Sequence, residues 1–451
     1  MPQLGAAPLV EPPRKATISA LSGNRCARGA WAGLLSKHGM NILAISATFP
    51  SSTDPSRGVF VKERLKALAL LDDVQVRVLA PTPWFPPLKR FSKWYRWSQF
   101  PYEEQIEGLP VYRPRYFLPP KVGGYVHPQL MHAAIVSAVD RIYREFRFDV
   151  LDAHYVYPAG ALAVRLADRF NVPVVMTGRG EDMMRFPELP LVGNQIRRAL
   201  KRAQGAIGVS QEIATRMLEH GASPDRTHVI ANGVDTEKFY PKPQQDCRHA
   251  LGLPLDGRII VSVGDLLELK GFHLLVEAMP EVLRHEPKAM LIIVGGPGRF
   301  GRDHSSEIRA AIDRHQLHAH VRMVGARPHG ELIDWYNAAD LYAMMSSREG
   351  SPNVLLEALA CGTPAIGTPV GGIPDELQDS ARGELIPERT SKAAAATIVR
   401  ALARSWDRQQ IRGALMQRTW EATAQRVHQV LRDAVEQHAA NPQLLNTSQA
   451  Q

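Results

Sequence analysis

From residue 40 onward the chain alternates between two kinds of segment. Short, unbroken apolar runs give way to longer stretches with apolar positions at helical spacing. The first run is NILAISATFP, opened by Met40 and closed by a turn; VQVRVLA, FDVLDAH, VPVVMTGRG and GAIGVS follow it. Each reads as a strand buried on both faces, which is the signature of a parallel sheet covered by helices. A Pro/Gln-rich stretch, PKPQQD (241–246), interrupts the pattern. It then restarts with RIIVSVGD, AMLIIVGG, HVRMVGA, DLYAMMSS and TPAIGT, separated by helix-length segments such as SQEIATRMLEHG and HGELIDWYNAAD.

The restart predicts two α/β domains, each a doubly wound Rossmann-like sheet. We place the first at 40–240 and the second at 241–417. In 418–437, Trp420, Ala424, Val427, Leu431 and Val435 fall at helical spacing, so a closing helix is expected there. The Pro-rich start, 1–39, and the tail 438–451 carry no period and are expected to be disordered.

A length of 451 residues suits two such domains, and 45% hydrophobic with 22% charged residues describes a globular chain. No run approaches the ~20 apolar residues of a membrane-spanning helix. The start lacks the apolar core of a secretory signal, and Cys26, Cys247 and Cys361 are too scattered for a disulfide framework. A cytoplasmic setting is the expectation. The net charge of +9 asks for an anionic partner: a phosphate-bearing small molecule, a membrane surface or nucleic acid. No nucleic-acid recognition motif supports the last.

Ligands of parallel sheets bind beyond the carboxyl ends of the strands. In the second domain the loops DLLELKG, GGPGRFG, SSREGSPN and TPVGGIPDE follow strands and gather at one such rim. GGPGRFG fits a dinucleotide-binding glycine pattern, but the next strand, HVRMVG, ends without the carboxylate that would hold a ribose. NAD binding is therefore not expected. SREGSPNVLLEALACG is more informative. Ser351 reads as a helix cap with Pro352 in the first turn, so free N–H groups would point into the crevice and suit a phosphate. Glu349 stands just before that start, and Glu357 lies eight positions later in an otherwise apolar run. A carboxylate among leucines requires a partner. Beside a phosphate site it suits paired hydroxyls of a ribose or sugar ring; alternatively it pairs with a basic residue.

Taken together these motifs resemble those of family 4 retaining glycosyltransferases (glycosyl transferases group 1), whose two Rossmann-like domains face each other across a cleft in the GT-B fold. The resemblance runs from Met40 to about Val435. Glu349 and Glu357 match the family's E-x7-E motif, and DLLELKG is similar to its G-R-x-x-x-x-K-G segment. NGVDTEKF (232–239) resembles the interdomain segment, GRGED (178–182) a cleft-facing loop, and RTWEATAQRV the last helix, which returns to the first domain. Members that build bacterial surface polysaccharides are the most similar.

The resemblance implies a metal-independent hexosyltransferase. It would move a sugar from a nucleotide diphosphate donor to a glycan or lipid-linked acceptor, with retention and without a cofactor. Glu357 would bind the ribose, Glu349 the donor sugar, and Lys270 the leaving diphosphate. Ser351, Asn353, Val354, Gly264 and Asp265 would border the donor, with His154 near its sugar. Two departures matter: Asp265 stands where the family has Arg, and Pro352 removes a backbone donor. No D-x-D occurs, which agrees with metal independence. The His315, His318 and His320 group reads as a solvated connection.

Residues 84–101, WFPPLKRFSKWYRWSQFP, mix aromatics with cations. They suit an anionic membrane surface at the inner membrane face, which a lipid-linked acceptor favours, single-stranded nucleic acid, or a loop packed on its own domain. The rival functions are a nucleotide-sugar epimerase or other GT-B enzyme such as a phosphorylase and, further off, a nucleic-acid-binding protein.

Overall fold

The computed structural model describes residues 39–87, 92–119, 123–298 and 303–440; the expected disorder of 1–38 and 441–451 concerns residues outside these. Ten strands belong to the first half: β1 Met40–Ile45, β2 Val74–Leu79, β3 Thr82–Trp84, β4 Glu103–Ile106, β5 Leu109–Tyr112, β6 Arg115–Phe117, β7 Val150–His154, β8 Val174–Gly178, β9 Gly205–Gly208 and β10 Thr227–Val229. Eight of them form one sheet in the order β10-β9-β8-β7-β1-β2-β5-β4, parallel except where β4 meets β5. The second half adds β11 Ile259–Val263, β12 Met290–Val294, β13 Val321–Gly325, β14 Leu341–Met344, β15 Ala365–Gly367 and β16 Gly383–Leu385. These form an all-parallel sheet in the order β13-β12-β11-β14-β15-β16.

The winding direction of each sheet reverses at one point. β1 pairs with both β2 and β7, and β11 pairs with both β12 and β14. Adjacent connections there leave on opposite faces, opening the crevice in which doubly wound folds bind ligands. The central strands are buried throughout (VLDAH, VVMTG and IIVSV without an exposed residue), which is why they read as unbroken apolar runs.

Six strands escaped the sequence reading: β3, β4, β5, β6, β10 and β16. All are three or four residues long, and several carry charges or prolines, as in EEQI and LPVY. PKPQQD reads as an interruption, yet its second half opens a helix, Gln244–Ala250. The closing helix runs over Trp420–Ala440, three residues into the stretch expected to be disordered. Its apolar face joins the first domain's core, where Ala424, Val427 and Leu431 pack with Ile42, Val61 and Leu65. The chain's return is fixed where the Val234 amide donates to the Arg418 carbonyl at 2.8 Å.

Candidate functional site

Lys270 follows β11 and Glu349 follows β14, so the two flank the switch point of the second sheet. They form an ion pair, and Ser346 Oγ donates to the same Glu349 carboxylate at 2.7 Å. Glu349, Gly350, Ser351, Asn353 and Val354 line a cavity of about 250 Å³ with Lys270. The first domain supplies the opposite wall through Phe60, Arg179, Val209 and Asn232. Asn232 Nδ2 donates to Asn353 Oδ1 at 2.9 Å, so the interdomain segment touches the first residue of the helix Asn353–Ala360.

Gly350 is required by packing. A Cβ there would lie 1.8 Å from the Arg179 carbonyl oxygen, so only glycine allows the two domains this approach. The same closure is reinforced where the Gly371 amide donates to Glu212 at 2.6 Å and the Gln211 amide to Asp375 at 2.9 Å.

Glu357 has its partner. Tyr336 donates to one carboxylate oxygen at 2.8 Å and His329 Nε2 to the other at 2.7 Å, while Lys238 Nζ lies 2.8 Å from His329 Nδ1. Burial, reinforced by the Glu357 charge, raises the Tyr336 phenol well above its ordinary range, so it remains a donor. His329, Lys238, Asn353 and Glu357 line an adjoining cavity of about 230 Å³. His329 and Lys238 were not singled out in the sequence, because both lie in polar segments, and His329 meets Glu357, and Lys238 meets His329, only through the tertiary fold.

Three placements correct the sequence reading. Ser351 does not cap the helix: the cap position is Pro352, and Ser351 Oγ is buried without a partner. The prolyl ring fixes the backbone one residue later than the Ser-Pro pattern suggested. His154 does not reach the cavity. It is wholly buried one layer behind, where Arg179 Nη2 donates to its Nδ1 at 2.8 Å and its Nε2 lies 3.2 Å from Asp152. Burial and the Arg64 charge push the His154 imidazole down to about 3, so it is a neutral strut. Asp152 accepts twice from Arg64 Nη2 at 2.8 Å; burial opposes its ionisation most strongly, but the Arg64 charge and the hydrogen bonds with Arg64 and His154 together hold it below the usual range. Asp265, third, is exposed and outside both cavity linings, while Gly264 lies beside it at positive φ against the Lys270 side chain.

The aromatics of 84–101 pack largely on one another. Trp94 stacks on Phe85 with centroids 5.1 Å apart and meets Trp97 edge-on, and Arg57 covers Trp97 at 5.0 Å. Trp84 is half exposed and pairs across strands with the exposed Phe117. Lys89 and Arg90 lie outside the described residues. Among the described residues no three His, Cys, Asp or Glu side chains gather as a metal site would, and no helix is long and apolar enough to cross a membrane.

The second domain matches the glycosyl transferases group 1 model over residues 243–418, and the first matches the glycosyltransferase family 4 model over 58–238. TuaC of Bacillus subtilis (strain 168), a glycosyltransferase assigned to teichuronic acid biosynthesis, is 31% identical over 370 residues, covering 80% of this chain and 89% of that one. Among solved structures, sucrose-phosphate synthase from Thermosynechococcus elongatus superposes with a TM-score of 0.70 at 22% identity, over 89% of this chain and all of that one. Anabaena Alr3699/HepE in complex with UDP gives 0.64 at 21%, over 87% of this chain and all of that one. Two switch-point sheets, a shared cleft and these matches lead to one assignment: the chain is a GT-B glycosyltransferase and belongs to glycosyltransferase family 4, the glycosyl transferases group 1.

Proposed function

We propose that the chain transfers a hexose from a nucleoside diphosphate sugar to a glycan or lipid-linked acceptor, retaining configuration, in cell-surface polysaccharide synthesis. The observation that carries this reading is the shared wall of two adjoining cavities. Lys270, Glu349 and the start of the helix at Asn353 border one, Glu357 borders the other, and both include Phe60 and Asn353. In this reading the diphosphate takes the cation and the helix N-terminus, whose dipole favours negative charge. The ribose takes Glu357, an acceptor already aligned by Tyr336 and His329.

The leaving group is stabilised by fixed charge and oriented amides, with no metal and no cofactor required. The Anabaena neighbour is in complex with UDP, which supports testing uridine donors first. The acceptor would meet the chain at the cytoplasmic membrane face through the aromatic surface around Trp84. A screen of UDP-, GDP- and ADP-hexoses, followed by NMR of the released sugar, tests the reading. Transfer or hydrolysis with the donor's anomeric configuration is expected. Epimerised nucleotide sugar, or no turnover of any donor, would overturn it.

A further inference from the structure

Asp265 removes a cation expected at the diphosphate, and Lys270 shares its charge with Glu349. One other cation lines the same cavity: Arg179, contributed by the first domain. Its guanidinium has neutral partners, His154 Nδ1 at 2.8 Å and Asn232 Oδ1 at 3.3 Å, and lies over the Phe60 ring at 5.1 Å. Among the described residues no carboxylate forms an ion pair with it. The residue is 7% exposed, and its Nε is buried with no hydrogen-bond partner. Across the cavity Ser351 Oγ is likewise buried and unpartnered.

A buried guanidinium with no carboxylate in direct contact is costly, even with Asp152 and Asp182 nearby, and an unmade buried hydrogen bond adds to that cost. Two unpartnered donors, one of them cationic, on residues that line one cavity from either domain call for an anion with several acceptor oxygens. We propose that Arg179 is the second cation of the diphosphate site, meeting the donor's phosphates together with Lys270 and Ser351. The inference rests on the donor class proposed above. It makes the phosphate site a two-domain structure: Gly350 brings the Glu349–Ser351 loop against the Arg179 backbone, so the cations converge only when the domains close. Burial and the Arg64 charge lower the Arg179 guanidinium to about 9, which still leaves it protonated at neutral pH.

Calorimetry with UDP, GDP and ADP, each beside its nucleoside, provides the test. The expectation for the tightest-bound pair is that Arg179→Gln weakens the diphosphate by about tenfold or more and leaves the nucleoside within about twofold. Arg179→Lys should restore part of the loss. Ser351→Ala, which removes no bond seen in the fold, should weaken the diphosphate several-fold and not the nucleoside. Equal losses for nucleoside and diphosphate would reduce Arg179 to a structural role and overturn the proposal, as would unchanged diphosphate affinity. Should Arg179→Gln not fold, Ser351→Ala decides: unchanged diphosphate affinity overturns the proposal. A parent protein that binds none of the three diphosphates removes the donor reading itself, a result separate from any variant's behaviour.

Discussion

Lys270 and Glu349 are joined in an ion pair across the switch point of the second sheet. A diphosphate reaching Lys270 therefore competes with Glu349 for the same ammonium group. Lys270→Ala should lower kcat/KM at least about tenfold, the scale of one charge-assisted bond. Glu349→Gln should lower turnover while leaving affinity for free UDP or GDP unchanged or slightly higher, because Lys270 is released. Steady-state rates with calorimetric dissociation constants check both. A Lys270→Ala protein with the parent's rate and affinity would sink this account of the leaving-group site.

Glu357 is aligned by Tyr336 and His329. Exchanging it for Gln removes an ionised acceptor from two ribose hydroxyls and should cost ~1.5–3 kcal/mol of nucleotide affinity. The parent should discriminate against a 2′-deoxynucleoside diphosphate, and Glu357→Gln should lose most of that discrimination. Equal discrimination by both proteins would place the ribose elsewhere.

Asp265 is exposed and faces neither cavity. Asp265→Asn should change nucleoside diphosphate affinity by less than about twofold, since exposed charges act weakly through water. A large gain in affinity would show that its charge reaches the phosphates.

Stability should fall as the medium is acidified from pH 6.5 to 5. Burial pushes His127 down to about 4, and burial with the Arg64 charge pushes His154 to about 3. In the unfolded chain both would titrate near 6.5. Below that pH the unfolded state binds more protons than the folded one, so stability present above pH 6.5 is lost on descent. Each histidine contributes at most about 1.4 kcal/mol per pH unit. Thermal melts of the parent and His127→Gln should converge in this window; parallel curves would clear His127 of the effect.

The half-exposed Trp84 and its cross-strand neighbour Phe117 form the outward aromatic surface of the first domain's small sheet. Replacing both with Ser should weaken binding to vesicles rich in phosphatidylglycerol and spare hydrolysis of a soluble donor. Trp94→Ser should instead lower the melting temperature, because that ring stacks on Phe85. Vesicle binding unchanged by the double variant would remove this membrane surface.

The long central strands were legible in the sequence because burial on both faces writes itself as an unbroken apolar run, as in IIVSV and VLDAH. Edge strands such as EEQI were not, because one side meets water and three or four residues carry little pattern. The loop carrying Glu349 and the helix carrying Glu357 could be placed at a strand's carboxyl end, where local order alone fixes the chemistry within reach. What met these residues could not be read. His329 is 28 positions from Glu357, Lys270 is 79 from Glu349, and Asn232 is 121 from Asn353. Such pairings depend on how two sheets wind and then close on each other, and sequence spacing holds no record of that closure. His154 shows the cost of reading a polar residue at a strand end as cleft-facing. Arg179, one strand away, takes the cavity wall and leaves the imidazole enclosed behind it, because a guanidinium is long enough to span the gap that the histidine leaves.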